Sequence, residues 1–402
     1  MVRRSVLAMF AVMAVVLGCV VVSTPAGAVV DDAVVVPSPN VGGNTNSLSA
    51  VSCVSVSFCV AAGYYDNGSV DQTLIEVWDG ADWTVVPSPN NGLDNNYLNE
   101  VSCVSVSFCV AAGFYDNGST NQTLIEVWDG ADWTVVPSPN VGGSANSLNA
   151  VSCVSASFCV ATGYYNNGPV DQTLIEVWDG ADWTVVTSPN NGIDSNYLNA
   201  VSCVSASFCV ATGNYDNGSI YQTLIEVWDG TDWTLMTSPN VGGNGNHLNA
   251  VSCVSASFCV ATGDYDNGSV DQTLIEVWDG TVWTLMTSPN VGGDVNGLRS
   301  VSCVSTSFCV ATGDYDNGSV DLTLIEVWDG AVWTLMTSPN VGGDDNRLRS
   351  VSCVSTSFCV ATGDYKDGSA NQTLVLSLTG PVPPSTTTTT VSPDQVVPAF
   401  TG

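Results

Sequence analysis

The chain has 402 residues, 38 of them acidic and 6 basic, for a formal net charge of −32. So acidic a surface repels phosphate backbones and anionic headgroups, which argues against nucleic acid or a membrane as partner and favours cations or cationic protein patches. His247 is the only histidine, and the cysteines lack the close spacing of zinc ligand sets, so a thiolate metal centre is not expected.

In chain order, residues 1–28 read as a secretory signal: Arg3 and Arg4, an apolar stretch from Val6 to Val22, then Ala26-Gly27-Ala28 as a small-residue cleavage site. Val16-Leu17-Gly18-Cys19 resembles a lipobox, but bulky Leu17 and the apolar Val20, Val21 and Val22 favour cleavage after Ala28. Val34-Val35-Val36-Pro37-Ser38-Pro39-Asn40 follows as a lone strand and turn. From Ser47 to Gly380 the chain is seven copies of a 50-residue unit, too small to close a core alone.

The second copy shows the pattern of strands a to d. Leu98–Val104, Ser107–Gly113, Thr123–Trp128 and Trp133–Pro137 are short and β-rich, and turn residues separate them. Four strands per copy predict an all-β, seven-bladed β-propeller over residues 31–380. Each copy has a Cys-x5-Cys pair on adjoining strands a and b, which predicts the disulfides Cys53–Cys59, Cys103–Cys109, Cys153–Cys159, Cys203–Cys209, Cys253–Cys259, Cys303–Cys309 and Cys353–Cys359. A disulfide scaffold agrees with export.

Six copies place tryptophans on both sides of Asp-Gly, as in Trp128 and Trp133, where they would pair across the c–d hairpin. The seventh copy has Leu378 at the first of these positions and then loses strand d. The lone strand near the N-terminus carries Ala33 at the second position, so it is expected to complete the last blade and close the ring. After Gly380, a Pro/Thr-rich stalk over residues 381–402 ends in Pro398-Ala399-Phe400-Thr401-Gly402, which resembles a sortase sorting pentapeptide.

Leu-Asn-x-Val-Ser-Cys, Phe-Cys-Val-Ala-Thr-Gly and Trp-Asp-Gly-x-x-Trp resemble the repeats of Asp-box propellers, the sialidase-like and photosystem-assembly-factor-like group. The resemblance covers residues 31–380 and implies a propeller. The loop Asp79-Gly80-Ala81-Asp82-Trp83 is one residue shorter than the usual box.

In a propeller the b–c and d–a loops share one face. Differences between copies gather there: at Tyr64, Phe114, Tyr164, Asn214, Asp264, Asp314 and Asp364, at Asp71, Asn121 and Tyr221, and at Asn91-Gly92-Leu93-Asp94. This face is the expected binding face. It carries Tyr65, Tyr115, Tyr165, Tyr215, Tyr265, Tyr315 and Tyr365, which suit glycan or peptide contacts, together with Arg299, Arg347 and Arg349. Asp264, Asp266 and Asp271, and their copies Asp314, Asp316 and Asp321, resemble calcium loops one residue too short. No catalytic set stands out, because carboxylates such as Glu76 and Asp79 recur identically in six copies.

The expectation is an exported or wall-attached monomeric binding or scaffolding module, without a cofactor, taking a glycan or protein. The alternative is a polysaccharide-active hydrolase or lyase, which would need acids and the three arginines to converge in one pocket.

Overall fold

The computed structural model describes residues 30–142, 145–292 and 295–380. The signal-like segment and the Pro/Thr stalk lie outside them. Strand β1 (Asp32–Val36) precedes blade 1, which comprises β2 (Asn46–Ser55), β3 (Phe58–Asp66), β4 (Asp71–Trp78) and β5 (Trp83–Val86) as strands a to d. Strands β6 to β25 repeat that order in blades 2 to 6. Blade 7 is β26 (Asn346–Ser355), β27 (Phe358–Asp367) and β28 (Ala370–Thr379), and β1 is its fourth strand. The ring closes as expected: β1 pairs antiparallel with β28, with Ala33 opposite Leu378 where other blades pair two tryptophans.

Two β-bulges interrupt every a–b ladder, and the first passes over residues such as Asn149 between Leu148 and Ala150. The extra residue re-aims its side chain toward the neighbouring blade. Asn99, Asn149, Asn199 and Asn249 thus donate from Nδ2 to the carbonyls of Leu148, Leu198, Leu248 and Leu298 at 2.8–3.0 Å. Opposite the bulge only glycine fits, since a Cβ on Gly163 would lie 2.0 Å from the Ser147 carbonyl oxygen.

Strand a of each blade lines the axis. The backbone N–H of the first cysteine of every pair, from Cys53 to Cys353, donates to a serine hydroxyl of the preceding blade, as in Cys103 to Ser52 and Cys53 to Ser352, all at 3.0 Å. Seven such bonds make an unbroken girdle.

The core lies between blades: Val60 and Ile75 of blade 1 pack with Leu98, Val101, Leu124 and Trp133 of blade 2. Buried within it are six carboxyls, Glu76, Glu126, Glu176, Glu226, Glu276 and Glu326. Each accepts a hydroxyl from the preceding d–a segment, from Ser38 to Glu76 at 2.7 Å through Ser288 to Glu326 at 2.9 Å. Burial pushes each of the six up to about 8, against the pull of the serine. Blade 7 carries buried Leu376 at that position.

All seven disulfides join directly opposed residues of strands a and b, with Cα atoms 4.0 Å apart. The strands run further than the sequence suggests. Tyr115 and Asp116, read as turn residues, end a strand spanning Phe108–Asp116 because the Asp116 N–H still finds the Asn95 carbonyl at 2.8 Å. No helix among the described residues is long and apolar enough to cross a membrane.

Candidate functional site

The face formed by the a–b and c–d loops is spent on structure. Trp78 Nε1 donates to the Val56 carbonyl at 3.1 Å, and Asp79 Oδ1 accepts the N–H groups of Ala81 and Asp82 at 2.9 and 3.0 Å. Those N–H groups, Asp82 first, hold the Asp79 carboxyl below the usual aspartate range. The same arrangement recurs through Asp329, which accounts for the uniformity of these loops.

On the opposite, b–c/d–a face the sevenfold repeat breaks into two arcs. The first, over blades 1 to 4 and into blade 5, is aromatic. Tyr97 lies 4.9 Å from both Tyr64 and Phe114, and Tyr197 lies 5.1 Å from Tyr164 and 6.4 Å from Tyr221, whose ring is 5.3 Å from His247. Tyr97 and Tyr197 donate their hydroxyls to Asp71 and Asp171. Burial, and then those carboxylates, raise both phenols, so they remain donors.

The second arc, over blades 5 to 7, is ionic. Arg299 binds Asp314 through two nitrogens, Arg347 binds Asp321, and Arg349 binds Asp364. Asp364 also accepts the Ser47 hydroxyl at 3.0 Å, linking blade 7 to blade 1. Burial opposes the charge on Arg299, but the Asp314 hydrogen bond together with the negative charges of Asp314, Asp264 and Asp321 outweighs it, and its pKa rises. Asp264, held by Asn249 at 2.9 Å, is raised by burial.

Between the arcs a polar cavity of about 160 Å³ runs into the axis, lined by strand a of all seven blades and including Glu100, Asn199, Asn249, Arg299 and Arg349. At ~30 Å³ per molecule it has room for about five waters. Glu100 stands where the other copies carry Ala or Ser. Its Oε1 accepts the Val101 N–H, and burial among the channel walls pushes it up to about 8.

The residues singled out from sequence fall into three groups. The invariant tyrosines Tyr65, Tyr115, Tyr165, Tyr215, Tyr265, Tyr315 and Tyr365 sit in strand b, half-buried against the inter-blade cores. Tyr65, Tyr165 and Tyr215 donate to Gln72, Gln172 and Gln222 at 2.9–3.0 Å. Of the three arginines, Arg299 and Arg349 reach the axial cavity, whereas Arg347 turns outward to Asp321. Five of the six acids of the calcium-like loops are otherwise engaged: Asp264 bonds Asn249, Asp266 and Asp316 cap the Gly268 and Gly318 N–H groups, and Asp314 and Asp321 hold arginines. Among the described residues no group of three or more His, Cys, Asp or Glu side chains is placed to hold a metal ion.

Neither Glu100 nor the partners Tyr97 and Tyr197 were evident from sequence. Stacking the copies shows each as a departure at its position, but the bulge that decides where strand a points is invisible without coordinates.

No family model matches the chain, and no curated protein matches it either. A solved structure described as YCF48 bound to D1 peptide superposes with a TM-score of 0.55 at 13% identity, over 89% of this chain and 100% of its own. At that identity the likeness is one of fold, and it agrees with the photosystem-assembly-factor-like side of the sequence resemblance.

Proposed function

We propose that this protein is an exported, non-catalytic binding or scaffolding propeller that takes a polypeptide ligand on its b–c/d–a face. One observation carries the reading: the largest differences among seven near-identical copies gather on one face, where they form an aromatic arc and an ionic arc around the axial cavity. Rings with apolar faces and polar tips, set beside fixed charges, suit peptide recognition. The structural neighbour is described in complex with a peptide, which favours a protein ligand over a glycan. Seven disulfides suit an oxidising, extracellular setting, in line with the signal-like and sorting-like ends.

The chemistry of the cavity supports a non-catalytic role. Glu100 is the one carboxylate lining it, whereas glycoside hydrolysis generally employs two, and both lining arginines are already paired with aspartates.

The test is selection of the full chain against a displayed random-peptide library and a glycan array in parallel. Peptides are expected to enrich and to lose binding to Tyr64→Ser/Tyr221→Ser, while Val56→Lys on the opposite face leaves binding intact. Enrichment of no peptide, or loss only with Val56→Lys, overturns the proposal.

A further inference from the structure

The first glycine of all seven d–a turns has a positive φ, and in five of them the following residue is also glycine, as in Gly43 and Gly243. Two turns differ. Leu93 and Ile193 occupy the position and stand 92% and 89% exposed, whereas the next most exposed large apolar residues, Val56 and Val106, reach 57%. A single exposed leucine is ordinary on a protein surface; the same protruding aliphatic group at two matched turns, each beside an aromatic cluster, is a repeated feature.

Both turns are held firmly. Asn96 Oδ1 accepts the Asn91 N–H at 2.8 Å while its Nδ2 donates to the Asp94 carbonyl at 2.7 Å, and Asn196 does the same for Asn191 and Asp194 at 2.7 Å. Side chains of Asn95 and Ser195 accept the N–H groups of Asp71 and Asp171 in the preceding blades at 2.9 and 3.2 Å. The Asp116 and Asp216 N–H groups bond the carbonyls of Asn95 and Ser195 at 2.8 Å. Each turn thereby joins three aspartates: Asp71, Asp94 and Asp116 at the Leu93 turn, and Asp171, Asp194 and Asp216 at the Ile193 turn.

No lysine or arginine occurs between Arg4 and Arg299. These six carboxylates therefore have no cationic side chain in blades 1 to 4 to pair with, unlike the aspartates of the ionic arc. They are not grouped to hold a metal ion. A ligand complementary to these turns would bring cationic groups to the aspartates and neighbouring tyrosines and apolar surface to Leu93 or Ile193.

We propose that the Leu93 and Ile193 turns are two equivalent subsites, each taking a short basic–aliphatic segment of a polypeptide, so that one propeller binds two such segments. The proposal rests on the polypeptide-binding reading above and specifies its chemistry and valency.

The test is calorimetric titration of the full chain with a capped Leu-Lys-Leu-Arg peptide and with its Leu-Glu-Leu-Glu counterpart. Two basic peptides are expected per chain and no acidic peptide. Leu93→Gly, which restores the residue of five sister turns, should reduce the stoichiometry to one, and Leu93→Gly/Ile193→Gly should abolish binding. Two copies of the basic peptide joined by flexible linkers of graded length should bind one to one, and at the matching length about a hundredfold tighter than the single peptide. A stoichiometry unchanged in the double variant, preference for the acidic peptide, or no binding of the basic peptide overturns the two-subsite proposal. If library peptides still depend on Tyr64 and Tyr221 in that case, the broader reading stands without it.

Discussion

The two arcs of the varied face solve the same problem in opposite ways. In blades 6 and 7 Asp314, Asp321 and Asp364 meet Arg299, Arg347 and Arg349, so these charges are settled within the chain. In blades 1 to 4 aromatic rings replace those pairs, and phenol hydroxyls, not cations, face Asp71 and Asp171. The scaffold beneath is common to both arcs: one bulge, one serine girdle, one glycine opposite the bulge. The difference teaches that the ionic arc meets Asp314, Asp321 and Asp364 with cations of the chain, while the aromatic arc meets Asp71 and Asp171 with neutral hydroxyls.

The largest expected effect tests how far the ionic arc depends on ring closure. Removing residues 31–40 deletes the fourth strand of blade 7 together with Ser38 and Asn40, which bond Glu76 and Thr373. The melting temperature should fall by more than about 10 °C, with hydrogen exchange rising first in blade 7. An unchanged transition would refute closure by this strand.

The next effect separates blades 1 to 6 from blade 7. Between the unfolded glutamate value of 4.5 and the folded value of about 8, the native state holds protons that the unfolded state has released. Their contribution to stability is therefore fully present below about pH 4.5 and is lost as pH rises toward 8, by at most about 1.4 kcal/mol per pH unit for each such glutamate. Glu126→Gln should leave the melting temperature at pH 5 nearly unchanged and raise it at pH 8.5. Leu376 gives blade 7 no share in this dependence. Parallel melting curves for the two proteins at both pH values would contradict the assignment.

Within the ionic arc, Arg299→Ala leaves Asp314, whose side chain is 7% exposed, without its cation. Because the arginine is itself half-exposed, the expected cost is about 2 kcal/mol. Restoration by Arg299→Ala/Asp314→Asn in denaturant melts would show that the stranded charge is the cause. The matching change in the aromatic arc, Tyr97→Phe, removes only the hydroxyl bond to Asp71 and should cost about 1 kcal/mol. A larger loss there than in the ionic arc would reverse the comparison.

Much of the architecture was legible because every copy keeps phase. Cysteine spacing gave the hairpin staples, and the coincidence of Leu378 with Ala33 gave the closing strand, since both tryptophans disappear only where c and d share no hairpin. The strand ends were less legible: Asp116 looks like a turn residue, yet its N–H completes a bond to a loop carbonyl that sequence cannot place. Side-chain direction was hardest. Residues 64 and 65 are neighbours on one strand and face opposite blades. The invariant Tyr65 packs against the core, and the varying Tyr64 meets Tyr97. Variation between copies pointed to the b–c/d–a face, but the bulge that turns strand a toward the axis leaves no mark in the residue pattern, so Glu100 and the cavity emerged only from the coordinates.

Strand Asp32–Val36 finds its partner, Ala370–Thr379, more than three hundred residues later in the chain. During synthesis the earliest-made strand has no ladder to join until the last blade has been made, so the circle stays open until then. Any force that peels this strand away has to break its ladder to the last blade and the bonds that Ser38 and Asn40 make to Thr373, and it opens the circle where the first and last strands of the ring meet.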